Sequence, residues 1–291
     1  MSVKGFLKRA SRILSDKSYI KLVWFRKFHK FPNLKNPQTF NEKLQWLKLY
    51  DRKPIYSTMV DKYDAKKYVA DIIGEEHIVP TLGVWDKFDD INFDELPNEF
   101  VLKCTHDSGG LVICRDKTKL DLVAAKKKIE RSLKTNYYWS GREWPYKNVK
   151  PRIIAEKFMS DENNVNSIMD YKFYCFDGEP KFLYVSTGMD DHKTARMSFI
   201  TLDWDFAPFR RSDYSPFDTL PQKPTQFDEM IEHCRKLSAG HSFLRVDLYE
   251  INDTVYFSEL TFSPCGGMMP LDPENWDLEL GELIKLPGED K

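Results

Sequence analysis

The sequence predicts an α+β protein, two lobes of strands and helices behind a helical N-terminal part. Three observations carry that expectation. Residues 243–261 read as two alternating strands around a polar turn at Asn252-Asp253. Residues 99–114 read as strand, small polar loop and strand, and residues 171–185 as a hairpin turning at Asp177-Gly178. Helical spacing fills the intervals between them, and no internal repeat or low-complexity tract intervenes. The expected units are a basic arm and helical region over 1–75, a first lobe over 76–158 and a second lobe over 159–291.

Taken in order, Phe6, Leu7, Ala10, Ile13 and Leu14 recur at helical spacing, with Lys8, Arg9 and Arg12 around the same turns. Residues 1–35 carry ten of the 44 Lys and Arg residues but one of the 45 Asp and Glu residues. Docking of this stripe onto the protein's own body is the first expectation, since core packing is the commoner fate of an apolar helical stripe. An apolar stripe flanked by cations also suits an anionic membrane surface, so peripheral membrane contact of residues 1–35 is the second. Trp24, Phe25, Phe28 and Phe31 interleave with Arg26, Lys27 and Lys30, yet the remaining chain is acidic and lacks an RNA-binding signature, so no nucleic acid is expected.

A helix follows over 39–49, with Thr39 or Asn41 as cap. Residues 56–73 read as one helix, apolar at Met59, Val60, Tyr63, Val69, Ile72 and Ile73 and stopped by Gly74. Residues 78–85 form a strand, 86–97 a loop and 120–133 a helix. The aromatic, turn-rich stretch 137–146 is expected to pack at the base of a lobe, ahead of a place in a binding site; Glu143 and Tyr146 are secondary site candidates. Residues 190–224 read as a long polar loop that includes Arg196, and a loop of that length in a compact domain is usually functional or mobile. Residues 227–238 return to helix and end at Gly240.

Composition excludes several function classes. No apolar run reaches the ~18 residues of a membrane span, and no cleavable signal peptide is visible, so the expected location is the cytoplasm, peripherally at the inner face of the membrane. Five cysteines at irregular spacing predict neither a disulfide framework nor a metal cluster, and the six histidines form no ligand-like pair. Neither a G-x-x-x-x-G-K-[ST] loop nor a G-x-G-x-x-G after a strand occurs. No Ser/His/Asp or Cys/His arrangement points to a protein nucleophile.

Two segments carry chemistry. On the 243–261 hairpin, residues of one parity share a face, so Arg245, Asp247 and Glu259 can converge. Two carboxylates beside a cation suit a magnesium-nucleotide site, where protein carboxylates and phosphate oxygens hold the ion. An Arg-Asp surface pair beside an unrelated Glu is the plain alternative. In the second segment, Lys103 precedes His106-Asp107-Ser108-Gly109-Gly110, and adjacent glycines let backbone N–H groups approach a phosphate. A hairpin whose glycines only turn the chain is the alternative there.

These segments, with Ile153-Ile-Ala-Glu-Lys-Phe, Asp170-Tyr-Lys-Phe-Tyr-Cys-Phe-Asp-Gly and Glu259-Leu-Thr-Phe, resemble in order the TupA-like ATP-grasp family, over roughly residues 36–286. The resemblance implies an ATP-grasp fold, two α+β lobes clamping ATP, the first bearing the phosphate loop and the second the metal-binding hairpin. It further implies Mg²⁺, carboxylate-amine ligation and a link to cell-surface polysaccharide synthesis. By the same resemblance Lys103, His106, Ser108, Gly109 and Gly110 contact phosphates, Glu156, Lys157 and Phe158 line the adenine, Lys172 is a second phosphate-directed lysine and Arg245 faces the transferring phosphoryl group. Asp247 and Glu259 hold Mg²⁺, and Thr261 stands where many relatives have an asparagine ligand.

The reaction expected is attack of a carboxylate on the γ-phosphate, giving an acyl phosphate that an amine converts to an amide. The partners are then a carboxylate donor and a small-molecule or glycan acceptor. A kinase acting on a hydroxyl, or a non-catalytic nucleotide-binding scaffold of a polysaccharide assembly complex, would use the same nucleotide half.

Overall fold

The computed structural model describes residues 11–160, 168–188 and 195–288. Phe6, Leu7 and Ala10 of the N-terminal stripe lie outside the described residues; Ile13 and Leu14 are exposed. Helix α1 (Asp16–Phe28) starts where Ser15 accepts the Ser18 N–H, and α2 (Phe40–Tyr50) has a reciprocal capping box between Thr39 and Glu42.

The helix expected over 56–73 is two helices, α3 (Ile55–Val60) and α4 (Asp64–Ile73). The buried Asp61 carboxylate divides them. It accepts the backbone N–H groups of Tyr63 and Asp64 at 2.8 and 3.1 Å and pairs with Arg152 at 2.9 Å. A short acidic side chain that satisfies the start of the next helix outcompetes continuation of the first. Apolar periodicity alone carries no sign of that competition.

Two antiparallel sheets form the body. The first contains β1 (Thr81–Trp85), β2 (Phe100–Cys104), β3 (Leu111–Cys114) and β4 (Ile153–Lys157) in the order β1-β4-β2-β3. Helix α5 (Leu122–Leu133) packs on it through Ala125 and Ile129, while α6 (Tyr138–Gly141) lies in the aromatic stretch that follows. The second sheet has β5 (Asp170–Phe176), β6 (Glu179–Thr187), β7 (Arg196–Thr201), β9 (Phe243–Ile251) and β10 (Thr254–Thr261) in the order β10-β9-β5-β6-β7.

Strand β7 corrects the long loop expected over 190–224. Arg196–Thr201 pairs with β6 and buries Met197, Phe199 and Ile200, and β8 (Arg210–Arg211) pairs with β11 (Leu271–Asp272). Residues 189–194 lie outside the described residues.

The two faces of the second sheet differ. Tyr171, Phe173, Leu244, Val246 and Leu248 point to a core closed by α3, α4 and α7 (Phe227–Ser238). The opposite parity carries aromatic side chains at one end, Tyr174, Phe176 and Phe243, covered by α2 and α8 (Trp276–Glu282). At the other end it carries Asp170, Lys172, Arg245 and Asp247. The sheet therefore spends one face and half of the other on its core, and leaves a charged half-face to chemistry. Helix α7 also brings His233 against His77, with ring centroids 4.4 Å apart, a histidine pair the sequence spacing does not reveal. No described helix is long and apolar enough to cross a membrane.

Candidate nucleotide site

The hairpin β9–β10 turns at Asn252-Asp253, both at positive φ, as the two-residue turn requires. Its register sets Glu259 opposite Asp247 and Thr261 opposite Arg245. A bulge between Phe257 and Glu259 makes this possible: Phe257 lies in the core, and without the extra residue Glu259 would share its face. Strand β5 adds Lys172 opposite Asp247 from the other side.

The result is a buried ionic cluster. Arg245 grips Asp247 with Nε and Nη2, both at 2.7 Å, and donates to Glu259 Oε1 at 2.8 Å and Thr261 Oγ1 at 3.0 Å. Lys172 donates to Asp247 Oδ2 at 2.7 Å and pairs with Asp170, whose Oδ1 is buried without a hydrogen-bond partner. Both cations lie over the Tyr184 ring, within 5.9 Å of its centroid. Burial pushes the Asp247 carboxyl up to about 6 against the pull of Arg245 and Lys172. Burial also raises Glu259, but Arg245, Lys172 and Lys62 outweigh it and hold this group down to about 2. Asp247, fully buried, spends both oxygens on Arg245 and Lys172; Glu259 is 35 % exposed and is the carboxylate that faces outward.

The first sheet supplies the counterpart. Glu156 accepts Lys66 Nζ on one oxygen and Lys103 Nζ on the other, each at 2.6 Å. Burial opposes the charged form of both Glu156 and Lys103; their pairing outweighs it, lowering the pKa of Glu156 and raising that of Lys103, to which Tyr249 and Glu259 of the second sheet also contribute. The two charged faces therefore look at each other.

Several expected contacts are corrected. His106 does not reach toward a phosphate: its Nε2 faces the carbonyls of Ser132 and Thr135 at 3.2 and 3.0 Å, because the end of α5 leaves carbonyl groups that need a donor. Gly110 is likewise engaged elsewhere. Its N–H is donated to Asp107 Oδ1 at 3.1 Å, and a Cβ there would lie 2.6 Å from both Cys104 Sγ and Ser132 Oγ. Asp107, which also accepts the Ser132 hydroxyl, thus turns away from the loop tip and stabilises its stem. Ser108 and Gly109 are the exposed tip.

Glu156 turns into the lysine pair rather than toward a ring edge, and the backbone of Glu156 and Lys157 is committed to the ladder between β1 and β2. Phe158, half-buried with the Arg115 guanidinium 5.1 Å from its ring, is the first residue past that ladder.

Four groups were missed or ranked low. Lys66 pairs with a residue 90 positions away, and no local pattern reports that. Lys62 Nζ holds the Asp107 carbonyl and acts on Glu259, so the turn between α3 and α4 borders the site. Glu143 is buried where Lys48, Arg245 and Glu259 act on it; desolvation pushes its carboxyl up to about 7 and the Lys48 amine down to about 8. Tyr137 stacks edge-on with Tyr146 at 4.9 Å, and burial pushes its hydroxyl up to about 12 while Ser108 pulls it back. The aromatic stretch 137–146 thus lines the site, where packing at the lobe base was expected.

A model of a family described as TupA-like ATPgrasp matches residues 42–285. The chain belongs to the TupA-like ATP-grasp family. Its α+β architecture is accordingly the ATP-grasp fold, with the Lys103 loop on one sheet and the Asp247–Glu259 hairpin on the other. Among solved structures it is similar to a D-alanine–D-alanine ligase from Helicobacter pylori, at 16% identity and TM-score 0.45 over 84% of this chain and 69% of that one. A D-alanine–D-alanine ligase from Bacillus anthracis complexed with ATP aligns at 16% identity and TM-score 0.39 over 70% of this chain and 55% of that one. A RimK domain ATP-grasp protein from Sphaerobacter thermophilus aligns at 11% identity and TM-score 0.42 over 80% and 70%. The chain thus spans a little over half the length of the Bacillus anthracis ligase. No curated protein sequence matches it.

Proposed function

We propose that this chain is an ATP-dependent carboxylate-amine ligase that binds Mg²⁺-ATP between its two sheets. The observation that carries the reading is the opposed charge of the two faces. Around Glu156 two lysines outnumber one carboxylate; around Arg245 and Lys172 three carboxylates outnumber two cations. The first surplus suits phosphates, the second a divalent cation. Asp247, Glu259 and Thr261 are all hard oxygen donors, and the unpartnered Asp170 Oδ1 adds acceptor capacity, so the donor set fits Mg²⁺. These residues would hold the ion, which would supply charge stabilisation at the transferring phosphate.

Lys103 would bind the phosphate chain, with Ser108 and Gly109 covering it from the loop tip. Phe158 would pack on the adenine. Arg245 would stabilise the charge that develops as a carboxylate oxygen attacks the γ-phosphorus and ADP leaves. Attack of an amine nitrogen on the acyl phosphate carbonyl then releases phosphate and forms the amide. Membership in the TupA-like family supports placing that amide in cell-surface polysaccharide synthesis, with a carboxylate donor and a small-molecule or glycan acceptor. The basic segment 1–35 would hold this cytoplasmic enzyme against anionic lipid, which flotation with phosphatidylserine vesicles tests: a chain that stays with the soluble fraction overturns the membrane contact.

The enzymatic reading is tested by Mg²⁺-dependent ATP binding and phosphate release in the presence of mixed amino acids, uronic acids and amino sugars. Substrate-stimulated ADP and phosphate, lost in Asp247→Ala and Glu259→Ala, supports a ligase. A phosphorylated product without free phosphate would instead make it a kinase, and no ATP binding with any divalent metal would leave a scaffold.

A further inference from the structure

Away from the cleft, a second cluster forms where α7 passes the 3₁₀ turn Glu75–His77. His77 Nδ1 lies 2.8 Å from the Val255 carbonyl, which makes this nitrogen the N–H donor and leaves Nε2 as the ring's lone-pair atom. That Nε2 is 3.9 Å from Glu229 Oε1. One turn along α7, His233 places its Nε2 3.8 Å from the same oxygen, since residues four apart share a helix face. His233 is only 5 % exposed, and neither of its ring nitrogens has a hydrogen-bond partner. A buried polar group left in that state costs ~1–3 kcal/mol. Packing against the His77 ring does nothing to recover this cost.

We propose that His77, Glu229 and His233 form a binding site for a divalent transition-metal ion of the zinc class. One ligand atom from each residue lies within 4.8 Å of the others. In a tetrahedral site with bonds of about 2.0–2.2 Å, neighbouring ligand atoms stand roughly 3.3–3.6 Å apart, so the present separations close with small side-chain rotations. Two imidazoles and one carboxylate favour zinc and its neighbours over Mg²⁺ or Ca²⁺, which prefer all-oxygen shells. The Val255 carbonyl behind His77 is the kind of outer partner that fixes a ligating ring. Glu76, whose Oε1 is 3.9 Å from His77 Nε2, or a water completes the fourth position. An ion here would join α7 to the turn that leads into the first sheet and, through Val255, to the strand that carries Glu259.

The test uses the full chain, stripped with a chelator and titrated with Zn²⁺ by calorimetry, with bound metal counted by mass spectrometry and Co²⁺ as a probe of tetrahedral geometry. The wild type and Glu259→Gln are expected to retain a single equivalent. In Glu229→Ala and His233→Gln affinity should fall by more than the ~10–100-fold that loss of an outer partner costs. Glu229 is only half-buried, so its alanine variant tests the ligand set without emptying the core, and an unchanged metal-free unfolding midpoint verifies that. Zinc retained undiminished by Glu229→Ala, or none retained by the wild type, overturns the proposal.

Discussion

The two charged nodes are built alike, each from one buried carboxylate gripping two cations, yet they behave differently. Glu156 gives one oxygen to Lys66 and one to Lys103 and stays ionised, whereas Asp247 is pushed up to about 6 while gripped by Arg245 and Lys172. The difference lies in the neighbours. Among the described residues, Lys66 and Lys103 make a direct ion pair with Glu156 alone, but Asp247 shares its cations with Glu259 and Asp170. A carboxylate with exclusive partners makes a settled cationic support. Carboxylates that compete for the same cations leave a site whose charge is incompletely satisfied until something else arrives.

The largest effect that sharpens this contrast is expected from Arg245→Ala. It leaves Asp247 and Glu259 facing each other without their shared guanidinium, and breaking a buried pair from one side costs on the order of 3–5 kcal/mol. Denaturant unfolding should register that loss together with complete loss of phosphate release. At the other node, Lys103→Ala leaves Glu156 paired with Lys66. It should therefore cost little stability while weakening ATP binding by about tenfold or more, as loss of a charge-assisted hydrogen bond of ~1.5–3 kcal/mol implies. Equal stability losses in the two variants would erase the distinction between the nodes.

A smaller effect separates the competing carboxylates by pH. A carboxyl raised in the folded state binds its proton more tightly there than when unfolded. Asp247's contribution to stability therefore falls as pH rises from about 4, its unfolded value, to about 6. Glu259 is depressed, so its contribution is present above about 4.3 and is lost as pH falls toward about 2. Asp247→Asn should remove the first slope and Glu259→Gln the second, in unfolding midpoints followed from pH 2 to 7. If the pH 4 to 6 slope survives in Asp247→Asn, burial of Asp247 is not its origin.

The hairpin node was legible because its geometry is local. A two-residue turn fixes the register, although that register alone would set Ser258 opposite Asp247. The bulge at Ser258 that brings Glu259 to the correct face shows in the alternation, where the core positions Val255 and Phe257 are followed by Leu260, one residue out of phase. The Glu156 node was half legible: Lys103 and Glu156 stood out, but Lys66 comes from a helix whose partner is fixed only by the tertiary fold. The Asp61 break in the helix predicted over 56–73, and the strand inside the supposed loop 190–224, were hidden for the same reason. Each depends on what packs against the segment rather than on the segment itself. His106 and Gly110 are turned to other partners because small, polar loop residues serve a helix end or a tight contact as well as they serve a phosphate.

The smallest expected effects decide that last point between adjacent glycines. A methyl group at Gly110 meets Cys104 Sγ and Ser132 Oγ at 2.6 Å, whereas at Gly109 the nearest atom is Asp107 Oδ2 at 3.9 Å. Neither residue has the positive φ that would demand glycine by itself. Gly110→Ala should thus lose ~1–3 kcal/mol through overpacking, and Gly109→Ala should stay within ~0.5 kcal/mol of the wild type. ATP binding should respond in the opposite order, because the exposed tip at Gly109 is where a phosphate would meet the backbone and Gly110 has already given its N–H to Asp107. An unfolding curve and an ATP titration on each variant suffice. If Gly110→Ala is the one that weakens ATP binding without destabilising the fold, the loop works as the sequence pattern implied, and the stem contacts around Asp107 give way when nucleotide binds.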